Sequence, residues 1–104
     1  MTPVRKTKKK TTPERFEPEA RQRIDRWLWH ARIVKTRSLA ASLVASGYVR
    51  VNGKRTGSSA HAVRKDDVLT VALPRVVRVL RVIDFADRRG GAALAATLYE
   101  EIRS

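Results

Sequence analysis

The sequence predicts an α+β fold in which a two-helix hairpin precedes a small antiparallel or mixed β-sheet and a closing C-terminal helix. Two observations carry this prediction. Apolar residues recur at helical spacing between positions 24 and 47, and the next segment alternates polar and apolar residues around an Asn-Gly turn. The length of 104 residues fits one small domain, which must be held by apolar packing because the chain has no cysteine.

The first predicted helix begins at Ile24 and covers about ten residues. Trp29 lies off its apolar stripe, and we expect both tryptophans of the chain to pack within the protein rather than stack on a base. The stripe has the spacing i, i+3, i+4 and i+7 and consists of Ile24, Trp27, Leu28 and Ala31.

The second predicted helix follows Thr36, whose hydroxyl suits the N-cap position. Gly47 ends this helix as a left-handed C-cap. The two short helices are then expected to bury their apolar stripes against each other. The stripe of the second helix consists of Leu39, Ala40, Leu43 and Val44.

A β-hairpin is predicted directly after Gly47. Residues 48–51 alternate in polarity, and Asn52-Gly53 is a strong signal for a two-residue hairpin turn. Residues 54–56 are then expected to return antiparallel to the first strand.

The rest of the chain predicts two more strands and the closing helix. Residues 68–73 form a strand after a turn at Asp66-Asp67, and residues 76–83 form another because β-branched residues favour strands. Arginine at every third position of that last segment leaves a helix with one basic face as the alternative. Residues 92–102 are rich in alanine and carry leucine and isoleucine at four-residue spacing, which predicts a helix.

Charge divides the chain into a basic arm, residues 1–23, and a folded domain, residues 24–104. The arm holds eight of the 23 lysines and arginines and three of the four prolines, a composition typical of disorder. The formal net charge of +13 predicts a polyanionic partner. We expect no membrane contact, because no amphipathic apolar segment accompanies the arm, and we expect a cytoplasmic protein, because no secretory signal is visible.

Enzyme chemistry has few candidate residues here. His30 and His61 have no obvious catalytic partner, and the chain lacks cysteine and a phosphate-binding glycine loop. Asp66 and Asp67 suit a turn better than a cation site, because further oxygen donors are missing. We therefore predict no catalytic residue, no metal site and no cofactor.

The basic residues of the domain form two groups. Arg32, Lys35 and Arg37 surround the start of the second helix, where free backbone N–H groups and the helix dipole favour an anion. The second group lies on the predicted hairpin and consists of Arg50, Lys54 and Arg55. If the hairpin folds beside the second helix, the two groups would form one basic strip. The alternative is that each of these residues is an ordinary solvated charge.

The segment RIDRWLWHARIVKTRSLAASLVASGYVRVNGKR, residues 23–55, resembles the S4 RNA-binding domain family. The family usually has glycine before the later aspartate, Asp67, where this chain has Asp66. Within the family, the chain is most similar to ribosome-associated heat-stress members. The resemblance rests on Ile24-Asp25-Arg26, Leu28, Arg32, Thr36-Arg37, Ala40, Leu43, Gly47, Val49 and Val51-Asn52-Gly53.

The resemblance implies an alpha-L RNA-binding motif that holds structured ribosomal RNA. It further implies binding to the free large ribosomal subunit carrying a nascent chain on transfer RNA, and help in recycling such subunits under heat stress. We expect a monomer. The RNA-facing residues implied by the resemblance are Arg26, Arg32, Lys35, Thr36, Arg37, Ser38, Asn52, Gly53, Lys54 and Arg55.

Two alternatives belong to other functional classes. A helix-turn-helix DNA reader would need base-reading side chains on its second helix, whereas the exposed positions there are serine and alanine. An RNA-binding subunit of an RNA-modifying enzyme would need its catalytic domain on another chain. Non-specific DNA binding through charge alone also fits the composition.

Overall fold

The computed structural model of the protein describes residues 20–102. Most of the predicted basic arm, residues 1–19, and the last two residues lie outside the described part. In chain order the described elements are β1 (Arg21–Arg23), α1 (Ile24–His30), α2 (Arg37–Ala45), β2 (Val49–Val51), β3 (Lys54–Arg55), β4 (Ala62–Arg64), β5 (Val68–Ala72), β6 (Val77–Val82), α3 (Ala92–Ala96) and β7 (Tyr99–Glu101). The predicted α+β class is confirmed.

The two predicted helices form as the sequence indicates and pack against each other. The Thr36 hydroxyl accepts a 3.0 Å hydrogen bond from the Leu39 backbone N–H, which confirms the predicted N-cap. Gly47 follows the helix with φ of +86°, a left-handed conformation that glycine adopts without the steric cost of a Cβ atom. The α1–α2 hairpin is therefore set by local sequence signals.

Five strands form an antiparallel sheet in the order β3-β2-β5-β6-β7. Asn52 and Gly53 join β2 to β3 with φ of +52° and +84°, the backbone of a type I′ turn. Alternate side chains face the helices, so Val49 and Val51 are buried while Arg50 between them is exposed. The predicted hairpin and the two later strands are confirmed, and the described strands are antiparallel rather than mixed.

A separate two-stranded ribbon, β1 paired with β4, was not predicted. Arg21 pairs with Arg64 and Arg23 with Ala62, so the outer face of the ribbon is strongly basic. The inner face is anchored by Val63, which is fully buried. The predicted domain boundary at residue 24 therefore falls after β1 rather than before it. Each strand is too short to show an alternating pattern, and the partners are about 40 residues apart in sequence.

The predicted closing helix over residues 92–102 is wrong in its second half. Helix α3 ends at Ala96, and β7 then extends the sheet by pairing with β6. Leu98 is buried against the sheet whereas Leu94 is 43% exposed, so the two leucines do not share one helical face. Residues 99–101 therefore join the sheet and do not continue the helix. Glu101 stabilises this pairing by accepting hydrogen bonds of 3.0 and 2.7 Å from the guanidinium of Arg78 on β6.

The core lies between the α1–α2 pair and the inner face of the sheet. Trp27 is fully buried, and its indole N–H donates to the Asp84 carbonyl at 3.0 Å. His30 is also buried, and its Nδ1–H donates to the Ala86 carbonyl at 2.9 Å, so it is a packing residue as expected. The remaining fully buried large side chains are Ile24, Leu28, Val44, Val49, Val63, Leu69, Val71, Leu80, Val82 and Leu98.

Candidate nucleic-acid interface

A buried carboxylate organises the basic side chains at the start of both helices. Asp25 is only 3% exposed and accepts two hydrogen bonds from the guanidinium of Arg23, at 3.1 and 2.9 Å. The same carboxylate lies 3.8 Å from Nε of Arg37 on the first turn of α2. Hydrogen bonding to Asp25 also raises the pKa of Arg23, which stays charged. Asp25 thus brings two cations from different elements together.

Two of the residues implied by the family resemblance have structural roles. The Thr36 hydroxyl is the N-cap of α2. The Asn52 side chain donates to Oδ1 of Asp67 at 3.1 Å and accepts from the Val68 backbone N–H at 2.9 Å. These bonds tie the hairpin turn to the Asp66-Asp67 turn, so Asn52 positions the hairpin instead of offering a free amide.

Helix α2 and the hairpin present exposed groups that a polyanion can reach. Ser38 is exposed on α2, Arg26 is exposed on α1, and Lys54 is exposed just after the hairpin turn. A Cβ atom on Gly47 would lie 3.2 Å from Nε of Arg55, so the Arg55 side chain crosses closely over the end of α2. The hairpin therefore folds beside the second helix, the arrangement on which the predicted basic strip depends.

A cleft of about 600 Å³ lies between the hairpin and strand β4 of the ribbon. Lys54 and Arg55 line it from β3, and Arg64 lines it from β4. Asp67 also lines the cleft, but its Oδ1 accepts from Asn52 and its Oδ2 accepts from the Arg64 backbone N–H at 2.9 Å. Three cationic side chains and one carboxylate line the cleft, so its lining carries net positive charge.

Arg32 and Lys35 lie in a different place from Arg37. Both line an apolar cleft of about 580 Å³, together with Arg89 and with side chains that include Leu39 and Leu43. Arg32 has φ of +59°, and its Nη1 donates to the Gly90 carbonyl at 2.9 Å. Arg37 instead lies beside Asp25, so the three cations of the predicted group have different neighbours.

The structure gives three further basic residues defined positions that sequence reasoning did not predict. Arg21 and Arg64 face each other across the ribbon, and Arg89 lies 5.9 Å from the ring centroid of Trp29. The Arg89 Nε also donates to the Trp29 carbonyl at 3.0 Å. The Trp29 side chain is partly buried against the hydrophobic core, as expected. The tertiary pairing of β1 with β4 could not be found from local pattern, and Arg89 has no local signal of its own.

The described residues form neither a metal-binding cluster nor a membrane-spanning helix. Within residues 20–102, no three His, Cys, Asp or Glu side chains converge where they could hold a metal ion. In the same part of the chain, every helix is too short or too polar to cross a bilayer.

Comparison with known proteins agrees with this geometry. A family model described as the S4 domain matches residues 22–69. The heat shock protein 15 homolog of Aeromonas salmonicida is 38% identical over 89 residues, which cover 86% of this chain and 67% of that protein. The chain belongs to the heat shock protein 15 family of S4-domain proteins. This membership confirms the family resemblance and supports RNA binding.

Other members of the family give the same picture. Heat shock protein 15 of Escherichia coli strain K12 is 38% identical over 85 residues, or 82% of this chain and 63% of that protein. A solved structure described as trimeric heat shock protein 15 of Vibrio cholerae superposes with a TM-score of 0.75 at 35% identity, covering 80% of this chain and 83% of that one. The chain matches only about two thirds of the length of the curated relatives from A. salmonicida and E. coli.

Proposed function

We propose that the protein binds structured RNA without chemical turnover, through α2, the β2–β3 hairpin and the basic side chains beside them. The observation that carries this proposal is the position of Arg55, which crosses the end of α2 and brings the cations of the hairpin next to the helix. Arg50 and Arg55 also pair directly across the hairpin, where their mutual repulsion favours a bound polyanion. Family membership supports RNA as that polyanion.

The exposed surface of α2 favours RNA shape over DNA sequence as the feature that is recognised. Ser38, Ser42 and Ala45 are exposed along the helix, and these side chains are too short to reach base edges in a major groove. Short side chains do allow a sugar-phosphate backbone to approach closely, with the flanking cations as contacts. A helix-turn-helix DNA reader is therefore the weaker candidate.

The proposed target is ribosomal RNA on the free large subunit that carries a nascent chain and transfer RNA, in the cytoplasm. Heat shock protein 15 family membership supports this finer role, as does a surface suited to folded RNA. The proposal includes help in recycling such subunits under heat stress. Sedimentation of tagged protein from heat-stressed cells tests it: migration with free large subunits is expected, and presence only in ribosome-free fractions contradicts it.

We propose that the protein is a monomer with one RNA site. The trimeric description of the V. cholerae relative supports a trimer as the alternative. Light scattering on the purified full chain, with and without RNA, gives the mass directly. A threefold mass without RNA contradicts the monomer and leaves RNA binding untouched.

Direct RNA binding is tested with the triple variant Lys35→Gln, Arg37→Gln and Lys54→Gln. We expect weaker binding to a folded ribosomal RNA fragment and a slope of log affinity against log salt that falls by about 2 to 3. The control variant removes the same charge at Lys65, Arg75 and Arg88, which lie outside α2, the hairpin and both clefts. Equal loss of slope in both variants would contradict a localised interface.

A further inference from the structure

We infer that the outer face of the β1–β4 ribbon is a second contact surface for the RNA backbone, with Arg21, Arg23 and Arg64 as the phosphate-binding side chains. This inference rests on the proposed RNA-binding function and extends it to a part of the fold outside the helix-hairpin unit. The ligand is a phosphodiester chain, recognised by charge and path rather than by base identity.

The register of the ribbon places these three arginines on one face. Arg21 pairs directly with Arg64, and Arg23 pairs with the small Ala62. Because side chains alternate along a strand, all four point away from the core, while Gln22 and Val63 point toward it. The outer face is therefore basic, with alanine beside the arginines leaving room for a close approach.

The ribbon is held firmly against the rest of the domain. The Ile24 backbone N–H donates to the His61 carbonyl at 2.7 Å, and the Gln22 amide donates to the Ala86 carbonyl at 2.9 Å. Val63 is fully buried. A surface fixed in this way loses little conformational freedom on binding, which favours its use as a contact surface.

The ribbon lies between the basic side chain at the start of α2 and the basic side chains of the hairpin. At one end, Arg23 shares the Asp25 carboxylate with Arg37 of α2. At the other end, Arg64 lines the 600 Å³ cleft opposite Lys54 and Arg55 of the hairpin. The ribbon thus completes a continuous cationic path from the start of α2 to the hairpin.

Like charges also face each other within the ribbon and within the hairpin. Arg21 lies opposite Arg64 in the ribbon, and Arg50 lies opposite Arg55 in the hairpin. Each pairing concentrates positive charge on one exposed face, which attracts a phosphate chain.

Replacement of the ribbon arginines tests the inference. The variant Arg21→Gln with Arg64→Gln is compared with Arg75→Gln and Arg88→Gln, a pair of equal charge that does not line the cleft. We expect the ribbon variant to bind folded RNA more weakly, with a salt slope lower by about 1.5, and the control to keep nearly the full slope. Unfolding curves of both variants verify that the fold is intact.

The outcomes separate this inference from the proposed function. If the ribbon variant and its control behave alike while the Lys35, Arg37 and Lys54 variant loses binding, the ribbon surface is refuted and the proposed function stands. If the unmodified protein fails to bind folded RNA at low salt, both are refuted.

Site-specific crosslinking gives a second measurement, since the chain has no cysteine of its own. A photoreactive group is attached at Ala62→Cys on the ribbon and, as a control, at Ala96→Cys on α3, both exposed positions. Irradiation with bound RNA should crosslink the ribbon position several-fold more than the control. Equal or lower yield at the ribbon position contradicts the inference.

Discussion

At the scale of single residues, buried polar groups decide where the charged side chains lie. Asp25 is covered by its neighbours, yet it reaches two arginines from different elements. His30 is covered as well and makes its polar contact with a backbone carbonyl of the 84–91 loop. Both residues couple the stability of the fold to the geometry of the basic surface, and each gives a test.

Asp25→Asn should lower the free energy of unfolding by about 1–3 kcal/mol, because charge-assisted hydrogen bonds to Arg23 are lost in a buried place. RNA affinity should fall too, although the net charge rises by one, because Arg23 and Arg37 lose the group that positions them. Urea unfolding and RNA titration measure the two effects. Asp87→Asn, in an exposed loop, is the matched control. Tighter RNA binding by Asp25→Asn would mean that net charge, and not the placement of the arginines, sets the RNA affinity.

His30 should make the fold sensitive to mild acid. Burial lowers the pKa of His30, with Arg26 and Arg37 adding to the effect and the Ala86 hydrogen bond and Asp87 opposing it. Protonation therefore favours the unfolded chain, so stability is fully present above about pH 6.5 and is lost as the pH falls toward the lower folded pKa.

This linkage is tested by measuring the free energy of unfolding between about pH 7.5 and pH 5, at pH steps of about half a unit. His30→Gln should flatten the pH dependence, since glutamine does not titrate and keeps a donor near the Ala86 carbonyl. His61→Gln, at an exposed position, serves as the control and should behave like the unmodified protein. An unchanged profile in His30→Gln would assign the acid sensitivity to other groups.

At the scale of the elements, the hairpin and the ribbon both place arginines opposite each other, which lowers the stability of the strand pairs. The hairpin has a favourable turn and buried valines, but Arg50 and Arg55 face each other across it. Within residues 20–102, neither arginine forms an ion pair. A surface selected for stability alone would place opposite charges or β-branched side chains at such positions.

Arg50→Thr should therefore stabilise the fold while weakening its function. Removing the like-charge pair and adding a β-branched residue should raise the free energy of unfolding by about 0.2–1 kcal/mol. The same change should weaken RNA binding and lower the salt slope. Arg81→Thr is the control, because Arg81 on β6 has Glu100 at 3.9 Å. Loss of stability in Arg50→Thr would show that the arginine pair is not repulsive in the free protein.

At the scale of the whole molecule, the net charge of +13 on 104 residues is a source of self-repulsion that counterions or RNA relieve. The ion pairs of the described part join cations to a few carboxylates, such as Arg78 to Glu101 on the edge of the sheet.

Thermal unfolding should reflect this repulsion. The Tm of the protein alone should rise between about 20 mM and 500 mM salt as screening shortens the range of the repulsion. A folded RNA should raise the Tm further at low salt, by mass action, and this gain should disappear at high salt. Scanning calorimetry or fluorescence measures both. An RNA-induced rise that persists at high salt would point to base contacts rather than phosphate contacts.

Local sequence alone determined the α1–α2 hairpin, the Thr36 cap, the Gly47 turn and the Asn52-Gly53 hairpin, because each depends on residues within one or two turns of chain. It also indicated which basic residues are exposed and that they suit a polyanion. Tertiary structure decided what depends on distant partners: the β1–β4 ribbon, the change from helix to strand at β7, and the position of Arg37 beside Asp25. Strand pairing and charge placement across space depend on contacts far apart in sequence, which no local pattern records.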